Sequence, residues 1–181
     1  MSPEEFLLTV QSRAARIAVG ASTVRGRGNT GVVAAARKFL RGANLAFFGS
    51  ADEATFRHAL DRMTEDLRKE LPGQAQHWGI ARKALNIFLR DCLYTSYLAE
   101  AHQLHKAEQC FELPLDSITA KHLRRLAGPR TLSPWPGVRH LSPSLSAELQ
   151  LVAAREARRR GIARVHLDAI WWSVSRDEDA A

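Results

Sequence analysis

Three polar side chains, Lys83, Asn86 and Arg90, lie three and then four residues apart in a stretch, residues 78–94, that is otherwise apolar around most of its circumference. Read as a helix, such a stretch is central rather than peripheral, and the three side chains form one narrow polar stripe along it. A lysine in that setting is partly desolvated. Desolvation disfavours the ammonium form, lowers the pKa and turns the amine into a nucleophile able to form an imine with a sugar aldehyde carbon. A lysine that snorkels to solvent from the helix end satisfies the same spacing. Thirty-three residues later, in Glu112-Leu113-Pro114-Leu115-Asp116-Ser117-Ile118, a carboxylate follows a proline-fixed extended step and opens a helix. Capping is the ordinary work of an Asp there. The same geometry points it out of the element toward a cleft, where it would stabilise positive charge developing on a sugar.

The elements that must hold these groups are helical almost throughout, because apolar positions recur at three and four and the breaks carry cap chemistry. Ser2-Pro3-Glu4-Glu5 supplies an N-cap, Pro at N1 and Glu at N3, opening a helix to about residue 19 that Gly20 ends. A loop over residues 22–29 leads to a helix over 30–41 that stops at Gly42. Ser50-Ala51-Asp52-Glu53 reads as a second capping box, starting a helix that runs to Leu71. The longest helical stretch covers 77–106, in one piece or two. Asp116 starts a shorter helix ending at Gly128-Pro129, and a loop rich in Pro and Trp, 131–141, precedes Ser142-Pro143 and a helix ending at Gly161. The last element, 165–174, is read as helix, although its Val, His, Ile and Trp content also suits a strand. The expectation is one all-α globular domain of six to eight helices over residues 1–175, with room for two helical lobes around a cleft, and an acidic tail over 176–181.

At 181 residues, 45% hydrophobic and 25% charged, the chain is long enough to bury a continuous core. The net charge of +7 and the pI near 10.1 point to an anionic partner such as nucleic acid. That charge is uneven: residues 1–48 carry +5, 49–118 are slightly acidic and 119–164 carry +8. The basic residues are 21 Arg and only 5 Lys, so Arg is the routine surface cation and each Lys stands out. Two cysteines make no disulfide framework, and Cys92 falls on the apolar helix face as a buried thiol. No signal peptide or membrane span is visible, so a cytoplasmic, nucleoid-associated protein is expected. His102 and His105 are spaced for one helix face but lack a third ligand.

The segment Gly79-Ile80-Ala81-Arg82-Lys83-Ala84-Leu85-Asn86-Ile87, followed by Leu113-Pro114-Leu115-Asp116-Ser117-Ile118-Thr119, resembles the catalytic core of the helix-hairpin-helix DNA glycosylases, the endonuclease III superfamily. There a Gly-x-Gly-(Arg/x)-Lys-(Thr/x)-Ala helix start precedes a (Pro/x)-Val-Asp-(Thr/Ser) motif. The separation of Lys from Asp looks like that of the archaeal 8-oxoguanine glycosylase branch, and His166-Leu167-Asp168-Ala169-Ile170-Trp171-Trp172 is similar to that branch's carboxyl-terminal helix. The resemblance spans roughly residues 71–128 and 160–175. It implies Lys83 as the Schiff-base lysine and Asp116 as the catalytic aspartate. It implies Asp168 and Trp172, four apart and so on one helix face, as the pair that reads and stacks on an extruded base, with Trp78 as a second stacking candidate and Arg90 and Asn86 beside them. Core anchoring by Trp171 and Trp172, with Asp168 paired to Arg164, accounts for the same residues.

The superfamily's tight hairpin before the lysine is remodelled or absent, since Gln74-Ala75-Gln76-His77-Trp78 separate Leu71-Pro72-Gly73 from Gly79. Without a four-cysteine motif no iron–sulfur centre is expected, and no other cofactor or metal. Phosphate contacts are expected instead from Arg25 and Arg27, in a loop that ends at a helix N-terminus, and from Lys121 and Arg124. A plain flexible connection is the ordinary reading of that loop. The resulting expectation is a monomeric glycosylase acting on double-stranded DNA that contains a modified base, with AP-lyase chemistry through the lysine. The alternative is a noncatalytic DNA-binding or adaptor protein on the same scaffold.

Overall fold

The computed structural model describes residues 1–20, 31–50, 52–128 and 130–178, the side chains of 173–178 excepted. Among these residues the protein is all helical and has no strand. Eight α-helices follow one another: α1 (Pro3–Ala18), α2 (Val32–Arg41), α3 (Glu53–Glu70), α4 (Trp78–Leu93), α5 (Ser96–Ala101), α6 (Ser117–Ala127), α7 (Pro143–Arg160) and α8 (Leu167–Glu178).

Most boundaries sit where cap chemistry puts them. Ser2 and Glu5 exchange the reciprocal bonds of a capping box, and Ser142 accepts from the Leu145 N–H with Pro143 at the first helical position. Gly161 closes α7 in the left-handed conformation. Besides shifts of two residues at the starts of α2 and α8, three boundaries differ from the sequence reading. Asp52, not Ser50, caps α3, accepting from the Thr55 N–H at 2.8 Å while Ser50 accepts from Asp52. The long stretch breaks at Tyr94, and after α5 the chain turns through Gln103, at φ 55°, into a 3-10 helix over Leu104–Cys110, so His102 and His105 do not share one α-helix. The acidic residues up to Glu178 belong to α8 rather than to a tail, and residues 179–181 lie outside the described residues.

The apolar interior forms two clusters. The larger joins α1 to α5 and contains Phe48, Phe56, Phe88 and Phe111, with Phe56 edge-on to Phe48 at 5.2 Å and tilted against Phe111 at 5.0 Å. The smaller gathers Leu113, Leu115, Leu123, Leu149, Leu167 and Trp171 from α6, α7, α8 and the segment before α6. Helix α4 is buried along most of its length, and Trp78 at its start packs against the smaller cluster. Cys92 is fully buried, and burial pushes its thiol pKa well up.

Gly79 permits a close approach of backbone to α4. A Cβ there would stand 2.1 Å from the Val138 carbonyl oxygen and 2.8 Å from Leu141 Cβ. The turn Val138–His140 is therefore seated on α4 one helical turn before Lys83, and Arg139 clamps it by donating to His77 Nε2 at 2.9 Å and Gln74 Oε1 at 3.2 Å. Gly79→Ala is expected to cost about 1–3 kcal/mol, because the obstructing atom is backbone and must move. Thermal melting checks this: an unchanged Tm would mean that the turn does not rest on α4.

Candidate active site

Lys83 and Asp116 come together. Lys83 Nζ stands 3.7 Å from Asp116 Oδ2, with the lysine side chain 13% and the aspartate 25% exposed. The two oxygens of Asp116 divide their work. Oδ1 caps α6, accepting from the Ile118 and Thr119 N–H groups at 2.9 and 3.0 Å, and Oδ2 is left to face the lysine. The cap and the approach to Lys83 are thus one geometry, since a carboxylate fixed through one oxygen has its other oxygen aimed.

Three anchors hold the extended segment that delivers Asp116. Glu112 is gripped from α4 by Arg82, whose Nε and a terminal nitrogen donate to the two carboxylate oxygens at 2.9 and 3.0 Å, and by Asn86 at 3.1 Å. Leu113 exchanges two hydrogen bonds with the Gln150 amide on α7, at 3.1 and 2.8 Å. Thr119 donates to the Pro114 carbonyl at 3.2 Å and accepts from the Asp116 N–H at 2.8 Å. Arg82 also reaches Thr64 and Asp61 on α3, at 2.9 and 2.8 Å, and lies over the Trp78 ring at 5.2 Å. Burial pushes the Glu112 carboxyl up, but Arg82 and Asn86 outweigh it and hold the pKa below the ordinary range.

Farther along α4, Arg90 pairs with Asp168 of α8 and with its neighbour Asp91, at 2.7 Å. Burial raises the Asp168 pKa; Arg90 opposes the rise, Asp116 adds to it and Lys83 opposes it. The four groups Lys83, Asp116, Arg90 and Asp168 therefore form one electrostatic neighbourhood. Arg90 keeps its proton more firmly than usual: burial works against its charge, and the carboxylates of Asp91 and Asp168 more than compensate.

The expected roles divide accordingly. Asp168 does not pair with Arg164, which instead donates to the Phe111 and Cys110 carbonyls at 3.0 Å each. Trp171 is the core anchor, 4% exposed and stacked on His122 at 5.1 Å, whereas Trp172 is half exposed. Asn86 departs from the stripe: its amide turns to Glu112 rather than toward Arg90, because the buried carboxylate needs the donor. Trp78 is taken up by Arg82 and the smaller cluster. Lys121 and Arg124 are exposed on α6, the helix that Asp116 caps. Arg25 and Arg27 lie outside the described residues. Arg82, Glu112, Thr119 and Gln150 were not apparent as site residues; Arg82, beside Lys83 on a helix with little solvent-facing surface, was the available signal.

Among the described residues no three His, Cys, Asp or Glu side chains converge as metal ligands, and no helix is long and apolar enough to cross a membrane. Comparison with protein-family models, curated proteins and solved structures gave no match.

Proposed function

We propose that the protein is a DNA glycosylase that extrudes a modified base from double-stranded DNA and cleaves its glycosidic bond, acting as a monomer. The observation that carries this reading is the approach of Lys83 Nζ to Asp116 Oδ2 at 3.7 Å between partly buried side chains. In the proposed reaction Asp116 Oδ2 takes a proton from the Lys83 ammonium. The free amine attacks C1′ while the bond to the base nitrogen breaks; the base leaves with that electron pair and is protonated by water. The nitrogen then loses a proton to water and its lone pair forms the C=N bond as C1′–O4′ breaks, O4′ taking that bond's electrons and the proton held by Asp116. Loss of a C2′ proton to water from the resulting protonated imine expels the 3′ phosphate with the C3′–O electron pair. Asp168, held by Arg90, reads the edge of the flipped base, and half-exposed Trp172 stacks on it.

The test is a panel of duplexes carrying oxidised, deaminated, alkylated, hydroxymethylated and glucosylated bases, with released base measured by mass spectrometry and borohydride added to trap the imine. Base release and a protein–DNA adduct mapped to Lys83 are expected with at least one member. DNA binding without release or trapping on any member would overturn the reading in favour of a noncatalytic DNA-binding protein. That second reading draws on the satisfied state of both carboxylates, Asp116 by its cap and Asp168 by Arg90.

A further inference from the structure

A cavity of about 340 Å³ runs along the seam between α1 and α2, lined by Ser12, Arg16, Ala34, Arg37, Lys38 and Arg41. Its walls contain four cations and no acid. The two helices are antiparallel: buried Gln11 near the middle of α1 donates to the Leu40, Arg41 and Ala43 carbonyls at the end of α2, while Arg37 reaches the end of α1. The groove therefore lies lengthwise between the helices.

Arg37 is fixed in place, its Nε donating to the Val19 carbonyl at 2.9 Å and a terminal nitrogen to the Arg16 carbonyl at 3.1 Å. Arg16, Lys38 and Arg41 are exposed and have no carboxylate partner among the described residues. A cation in a last helical turn is favoured by the helix dipole, by about 0.3–1 kcal/mol. That accounts for Arg16, Lys38 and Arg41 one at a time, but not for their placement with Arg37 around one solvent-open groove that holds no carboxylate, where they repel one another through water. A second cavity, of about 270 Å³ between α6 and α7, offers a contrast: its Arg159 is neutralised by Glu156 at 2.8 Å.

We infer that the α1–α2 groove binds a chain of phosphates, with Arg37 as its rigid base and Arg16, Lys38 and Arg41 as the charges that close on the oxygens. Its volume is many times the roughly 10–15 Å³ that one water needs on the same measure, so the groove has room for linked phosphates. The ligand is either the backbone of a nucleic acid or a free polyphosphate. The inference does not depend on chemistry at Lys83.

The experiment compares the wild-type chain with a groove variant, Arg16→Gln/Lys38→Gln/Arg41→Gln, and with a control of equal charge loss on α3, Arg57→Gln/Arg62→Gln/Lys69→Gln. All substituted side chains are exposed, and thermal melting verifies folding. Binding of an undamaged fluorescein-labelled 20-mer duplex is measured by anisotropy between 50 and 200 mM NaCl, and binding of inorganic tripolyphosphate by calorimetry. If the groove takes nucleic acid, the groove variant binds the duplex at least about tenfold more weakly, with the log K against log [NaCl] slope reduced by about 2–3, and the control changes far less. If it takes a free polyphosphate, tripolyphosphate binds the wild type and the control but not the groove variant, and duplex binding is unaltered. Equal losses in both variants, or no loss of either ligand in the groove variant, would overturn the inference. Base release from saturated duplex is expected to survive in the groove variant, so failure of the groove and failure of the Lys83 chemistry read differently.

Discussion

Lys83→Ala is expected to lower single-turnover base release by about 10⁴-fold or more and to abolish borohydride trapping, because it removes the only atom proposed to bond C1′. Lys83→Arg should do no better, since a guanidinium does not deprotonate. The informative companion is Asp116→Asn. Asparagine caps helices as well as aspartate does, so the bonds that Oδ1 accepts from Ile118 and Thr119 persist and α6 keeps its start. What disappears is the proton acceptor 3.7 Å from the amine, and a loss of about 10²–10⁴ in the chemical step is expected with little change in Tm. That split between rate and stability distinguishes a catalytic carboxylate from a cap. Product formation that persists in both Lys83→Ala and Asp116→Asn would rule out the mechanism.

The Lys83–Asp116 pairing was legible because each residue carried a strong local constraint: one sat on the polar stripe of the most apolar helix, the other at a helix start after proline. Local rules reach only that far. Periodicity assigns a residue to a face but does not name what covers it, so Asn86 and Arg90, one turn apart on α4, end up serving different carboxylates, Glu112 and Asp168. The abundance of arginine obscured Arg82. Composition marked Arg as the routine surface cation, yet Arg82 is 5% exposed and joins α3, α4 and the segment before α6. The loop over 131–141 gave no sign that its turn Val138–His140 would close on α4, because the feature that admits it is the missing side chain of Gly79, sixty residues away in sequence. Helix boundaries were most reliable where a side chain caps its own backbone, and least so where tertiary packing breaks a periodic run, as at Tyr94.

Glu112→Ala is expected to be the most destabilising single substitution of the site region, by about 3–5 kcal/mol, because it strands the buried Arg82 guanidinium. Asp61 offers incomplete compensation, since its side chain is 57% exposed and its attraction is screened by water. For a domain of this size that corresponds to a fall in Tm of very roughly 6–20 °C. The pair also predicts a pH dependence with a definite sign. The Glu112 pKa is depressed in the folded protein, so the resulting stability is present above the ordinary glutamate pKa and is lost as pH falls from there through the folded value. Wild-type stability should therefore decline on acidification below about pH 4.5, and Glu112→Gln should remove part of that slope. The decisive variant is Arg82→Met/Glu112→Leu. Replacing both charges with apolar groups of similar volume leaves no charge stranded, and the loss that remains is chiefly the acceptor of the buried Asn86 amide, so Tm should return in large part but not fully. Gln150, Thr119 and the Asp116 cap still hold the segment in that variant, so base release should return with it. Recovered stability without recovered activity would mean that the ion pair itself sets the distance from Asp116 to Lys83, and a Glu112→Ala protein that melts with the wild type would mean that Arg82 is not buried against this carboxylate.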